Sequence, residues 1–188
     1  MLFRSAVVIV PQTLLMAVAM AVGTRREAGP LREATAAALG RIAAYATLGL
    51  ASGAWFFGFV FWLFDYGRAG NPLGAALLLA LMSWAVAALG CALGCWWADR
   101  ERAMQVLLFT SIPMVFLSGF SWPHEALAPP LRLLAALLPT TPAIQGFLRF
   151  NEMSATLAEA APQLWHLALL AAGATVLALA GLRGGRGG

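Results

Sequence analysis

The chain has 188 residues, of which 61% are hydrophobic and only 11% charged, where a soluble domain carries about 25% charged residues. All twelve basic residues are arginine, which excludes a phosphate-loop lysine, a Schiff-base lysine and a lysine nucleophile. The net charge of +4 is no sign of nucleic-acid binding, because the arginines stand at the ends of apolar runs and not on one polar face.

Five uncharged runs approach or exceed the 20 or so helical residues that cross a bilayer. Strand alternation is absent, so the expected fold is an all-α polytopic membrane bundle and not a barrel. The first run, Ser5–Gly23, carries Pro11, Gln12 and Thr13. A polar side chain in hydrocarbon turns toward protein or water, so Gln12 and Thr13 either glue the bundle or line a polar path. The loop 24–41 reads TRREAGPLREATAAALGR. Pro30 suits the first position of a short helix and Gly40 its stop, which predicts an amphipathic surface helix. Its charged residues Arg25, Arg26, Glu27, Arg32 and Glu33 are solvated there or form a docking surface for a soluble partner.

The second run is Ile42–Phe64 and the third Leu73–Trp97. The third contains Gly90-Cys-Ala-Leu-Gly94, whose small residues one turn apart predict a close helix–helix contact. Cys91 and Cys95 share one helical face there and read as buried packing residues, since a metal would need further ligands nearby. Trp84, like Trp55, falls mid-span and reads as packing, with a place along a path as the alternative. The fourth run, Ala103–Pro123, opens near Gln105 and is expected to kink at Pro113.

The stretch Leu133–Leu148 is shorter and is broken by Pro139 and Pro142. Two prolines leave backbone groups unpaired, so it is predicted to be a short re-entrant or interfacial helical hairpin within a region 124–159. The last run is Ala160–Leu182, followed by a glycine-rich tail, Gly181–Gly188, expected to be disordered. Arginines number eight on the side of Arg25, Arg26, Arg32, Arg41, Arg100, Arg102, Arg183 and Arg186, and four on the side of Arg4, Arg68, Arg132 and Arg149. The richer side is expected to be cytoplasmic and to hold the C-terminus, with Gly70 and Glu125 outside. Trp62, Trp96, Trp97, Trp122 and Trp165 stand near span ends, where indole prefers to sit.

Ser121, in Gly119-Phe-Ser121, together with His166 on another span invites an intramembrane serine protease reading. A serine nucleophile needs a base within reach and an oxyanion site, and the chain offers no extended motif for either. Haem between spans needs paired histidines, and of His124 and His166 only one is within a span.

The stretch Leu117–Gly146, LSGFSWPHEALAPPLRLLAALLPTTPAIQG, resembles the C-terminal region of ABC-2 type transporter permeases, the membrane subunits of bacterial ABC exporters. The matching residues are Leu117-Ser-Gly119, Trp122-Pro123, Glu125, Pro130-Leu-Arg132, Leu138-Pro139, Thr141-Pro142 and Gly146. Upstream, Pro11-Gln-Thr-Leu-Leu and Gly23-Thr-Arg-Arg-Glu27-Ala-Gly29 are similar to that family's second span and its cytoplasmic exit, with Arg25 in place of an acid. Asn151-Glu-Met153 also fits. The resemblance implies an outward hairpin before the last span, a separate ATP-binding subunit that holds the ATP and magnesium, and a second permease chain, identical or homologous. No cofactor is expected on this chain. It implies a multi-pass protein of the bacterial inner membrane, with the segment from Arg25 to Gly40 as the coupling element. Family members begin with a further span and a large extracytoplasmic domain, so the chain is expected to be a partial or split product. The alternative to a permease is a non-transport membrane scaffold, with the protease a third reading.

Overall fold

The computed structural model describes residues 2–29, 31–60, 63, 70–97, 100–117 and 128–184. Among them are seven α-helices and no strand: α1 Leu2–Glu27, α2 Thr35–Ala54, α3 Pro72–Trp96, α4 Arg100–Leu117, α5 Pro129–Ala136, α6 Thr140–Glu152 and α7 Ala161–Gly184. Runs of alanine, leucine and glycine have no water to satisfy their backbone inside a bilayer, so each closes its own hydrogen bonds as a helix. Four of the helical stretches, Val8–Glu27, Thr35–Phe59, Pro72–Trp96 and Ala161–Gly184, are long and apolar enough to cross a membrane.

α3 is the hub, packed against α1, α2, α6 and α7. Small residues set the distances. A Cβ on Gly90 would lie 2.8 Å from Val18 Cβ, and one on Gly94 2.7 Å from the Ala19 carbonyl oxygen. The backbones of α1 and α3 therefore meet closely at the Gly90/Gly94 pair, as its spacing predicted. α1 and α3 run parallel, since Val18 meets Gly90 and Val22 meets Gly94. α7 is parallel to them, with Thr175 bonded to Trp84 and Gly181 against Cys95. α2 is antiparallel, with Gly49 on Ser83 and Gly53 on Leu79. α4 starts just beyond the end of α3 and returns along α1, where the Gln12 amide reaches the Leu107 carbonyl at 3.5 Å.

The bundle thus has two ends. The end of α1, the start of α2, the end of α3, the start of α4 and the end of α7 share one of them, which holds Arg25, Arg26, Arg32, Arg41, Arg102 and Arg183. The start of α3 and the start of α7 share the other, the Asn71 end. α5 and α6 are bent 79° apart at a break of three residues, Leu137–Pro139. α6 runs back along α3, Gly146 against Leu78 and Phe150 against Gly74, and finishes at the Asn71 end. α4 heads toward that end and α7 starts from it, so the bent pair between them makes no net crossing.

Three expectations need correcting. No separate surface helix spans 31–40: residues 31–34 have no regular secondary structure, with Ala34 extended, and α2 begins at Thr35 and passes through Gly40 without a stop. Ala36, Ala37 and Ala38 are strong helix formers, and Ala38 and Ile42 are fully buried, which outweighs the roughly 1 kcal/mol that a mid-helix glycine costs. The tail is helical as far as Gly184, because Leu182 is fully buried and Gly181 seats on Cys95. α1 also runs one turn past Gly23, to Glu27. At the far end of α2 the helix widens into a π-helix, Trp55–Val60. Its extra residue per turn divides the aromatic run: Phe57 stacks on Phe147 of α6 at 5.0 Å, while exposed Trp55 and Phe59 stack on each other at 4.6 Å. Residues 118–123 of the fourth predicted span lie outside the described residues.

Candidate functional site

At the arginine-rich end the loop between α1 and α2 is tied down twice. The Glu33 carboxylate takes hydrogen bonds from Arg41 Nε, at 3.1 Å, and from Arg41 Nη2. The Glu33 backbone N–H donates to the Leu182 carbonyl of α7 at 3.1 Å. Glu33 and Arg41 are only 14% and 15% exposed, so Glu33 is not the freely solvated residue that an amphipathic surface helix would present. Arg25, Glu27 and Arg32 are exposed and Arg26 is half-buried. What faces outward here is therefore the last turn of α1, with Arg25 and Glu27, and a short loop anchored on α2 and α7 that carries Arg32.

Midway along the bundle the polar groups form separate contacts. Trp84 Nε1 donates to Thr175 Oγ1 at 3.1 Å, and Thr175 donates to the Ala171 carbonyl at 2.6 Å. The N–H of half-buried Trp84 is thus satisfied within the bundle. Thr13 is exposed and bonds the Ile9 carbonyl of its own helix at 2.9 Å. Gln105 and Pro113 are exposed on α4, and helix α4 runs through Pro113. Gln12 is different. With Pro11, Leu15, Val86, Leu89, Leu138, Pro139 and Thr140 it lines a cavity of about 20 Å³, room for about one water molecule. The turn between α5 and α6 therefore reaches the level of Val86, about 21 Å along α3 from Pro72 at 1.5 Å per residue.

Gly146 and Pro139 hold that hairpin in place. A Cβ on Gly146 would come within 2.7 Å of Leu78 Cδ2, and Pro139 is buried at the bend. Gly119, Ser121, Trp122, Pro123, His124 and Glu125 lie outside the described residues. His166 Nε2 meets the Ala136 carbonyl at 2.8 Å, which fastens α7 to the end of α5. Among the described residues no group of three His, Cys, Asp or Glu side chains could hold a metal ion.

Sequence reasoning missed Asn71. Its side chain caps α3 by accepting from Gly74 N–H at 3.0 Å, its Nδ2 donates to the Ala155 carbonyl at 3.1 Å, and its backbone N–H donates to the Phe150 carbonyl at 3.3 Å. One residue thus joins α3, α6 and the α6–α7 connection. The signal was present, since asparagine followed by proline before an apolar run marks a helix start. Nearby, the Thr156 N–H and hydroxyl both donate to Glu159, holding its carboxyl below the usual carboxylate range.

The family model described as ABC-2 family transporter protein matches residues 30–181. The chain belongs to the ABC-2 transporter family. The match runs from the loop before α2 to the last turn of α7, so it takes in α3 and the α5–α6 hairpin. Searches of curated proteins and of solved structures found no match. As an ABC-2 family chain it is a multi-pass membrane protein, of the kind that serves as an ABC transporter permease.

Proposed function

We propose that this chain is the membrane-spanning subunit of an ATP-driven exporter in a bacterial inner membrane, working with a separate ATP-binding subunit and a second permease chain. The arginine-rich end lies in the cytoplasm, and the C-terminus with it. The observation that carries this reading is the anchored loop between α1 and α2. It presents Arg32, beside Arg25 and Glu27 of the last turn of α1, at the end where positive charge is retained inside, and it is fixed to α2 through Arg41 and to α7 through Leu182. A soluble subunit pressing on that loop would move two spans together. ATP and magnesium belong to that subunit. Closure of two such subunits would rock the two permease chains against one another and alternate access to a path between them.

Reversing the exposed charges together, Glu27→Arg with Arg32→Glu, puts like charges against the partner. Membrane levels of the full-length protein stay normal while the ATP-binding subunit recovered with it falls by about tenfold or more. Undiminished recovery together with undiminished transport would remove the loop from the mechanism and favour a scaffold without transport.

A further inference from the structure

The corner where the α1–α2 loop meets the end of α7 carries more positive charge than its acid can balance. Glu33 N–H bonds the Leu182 carbonyl, which sets Arg32 and Arg183, each one residue away, on the same corner. Glu33 is the only acid among these residues, and its carboxylate is occupied by Arg41. Arg32 and Arg183 are both exposed, and among the described residues neither pairs with a carboxylate. Counting Arg32, Arg41 and Arg183 against Glu33, the corner keeps two uncompensated positive charges.

The surface leading to it is apolar. Val176, Leu179, Ala180 and Arg183 follow the i, i+3, i+4, i+7 spacing of one helix face. Val176 is 65% exposed, Ala180 is exposed and Leu179 half-buried. This strip lies along a membrane-spanning helix and ends at a guanidinium at the water boundary. An acyl chain matches the strip, and a phosphodiester carrying a net negative charge matches the two guanidiniums, which are preferred phosphate partners.

We propose that this corner is a binding site for an anionic phospholipid, its headgroup phosphate held by Arg32 and Arg183 and an acyl chain laid along Val176, Leu179 and Ala180. Arg32 is shared with the docking face of the exporter reading, but lipid binding is measured without the ATP-binding subunit or transport, so the two readings fail by different results.

The test is native mass spectrometry of the full chain released from detergent, with phosphatidylglycerol or phosphatidylcholine added. The wild type retains one phosphatidylglycerol in preference to phosphatidylcholine, and the retention weakens with rising salt. Arg32→Gln with Arg183→Gln lowers the phosphatidylglycerol affinity by more than about tenfold, from about 1 kcal/mol for each arginine near a lipid surface. Arg149→Gln, which changes an arginine at the opposite, Asn71 end of the bundle, leaves it within about twofold of wild type. Millimolar inorganic phosphate does not compete. Equal retention of the two lipids, equal loss in the Arg149 variant, or displacement by free phosphate would each overturn the proposal. If the double glutamine variant does not fold, the wild-type lipid preference and its salt dependence decide the matter, together with Arg32→Lys/Arg183→Lys, which keeps the charge and is expected to keep the preference.

Discussion

Glu33 and Arg41 are eight residues apart, one in the segment before α2 and the other more than a turn into it. A charge half-removed from water depends on its partner, so removing one member leaves the other unpaired. Glu33→Gln is expected to destabilise the bundle by about 1–3 kcal/mol, below the figure for a fully buried pair because both side chains keep some contact with water. Arg41→Glu in the Glu33→Arg background should recover part of that loss, read as the midpoint of thermal unfolding in detergent. No recovery would mean that the pair's surroundings, and not the pair, set the cost. This contact was not legible in the sequence, because it depends on where that segment turns into a helix, and no spacing rule encodes that. The pairing of Trp84 with Thr175 escaped for the same kind of reason, since the two residues belong to helices 91 positions apart. What could be read locally was read: Gly90 and Gly94 as a contact, and Cys91 and Cys95 as buried packing residues.

At the scale of the element, the spans were visible because a bilayer leaves only one solution for 20 apolar residues. Their ends were less visible, because tertiary packing moved them. Two glycines show the difference. Gly40 has nothing within 4 Å of an added Cβ, whereas Gly94 would drive one to 2.7 Å from a backbone oxygen of α1. Gly40→Ala is therefore expected to raise stability by about 0.5–1 kcal/mol. Gly94→Leu is expected to lower it by at least about 1–3 kcal/mol, because overpacking must separate α1 from α3. Both are checked by denaturation in mixed micelles, and a neutral Gly94→Leu would mean that α1 does not lie on α3. The α5–α6 pair was recognised from its prolines, while its depth came only from Gly146 and Phe150 packing on α3. Reporter fusions after Arg132 and after Asn151 should report the same side of the membrane. Opposite sides would make the pair a span and reverse α7.

For the whole molecule, the parallel run of α1, α3 and α7 collects at one end the described arginines of the eight-residue side of the sequence's eight-to-four division, and keeps Arg149 at the other. The sorting was thus legible from charge alone, although which compartment each end faces is an expectation for labelling to test. In a background lacking Cys91 and Cys95, a cysteine at the exposed position of Met153 should react with an impermeant maleimide in intact cells, and one at Arg32 should not. The opposite pattern would invert the protein. Gly70 is unsuitable for this purpose, because a side chain there would run into Ser154. The proposed docking surface was legible only as a stretch of charge. Which of its residues face outward depended on the Glu33 tether, and the family-like residues from Gly119 to Glu125 lie outside the described part of the chain.

The hairpin turns at the level of Val86 and Leu89, so α6 adds a helix to one half of the bundle and none to the other. Among the described residues, α6 therefore packs against α3 only in the half of the bundle toward the Asn71 end. Lateral pressure from the leaflet at that end bears on α6 and, through Gly146 and Phe150, on α3.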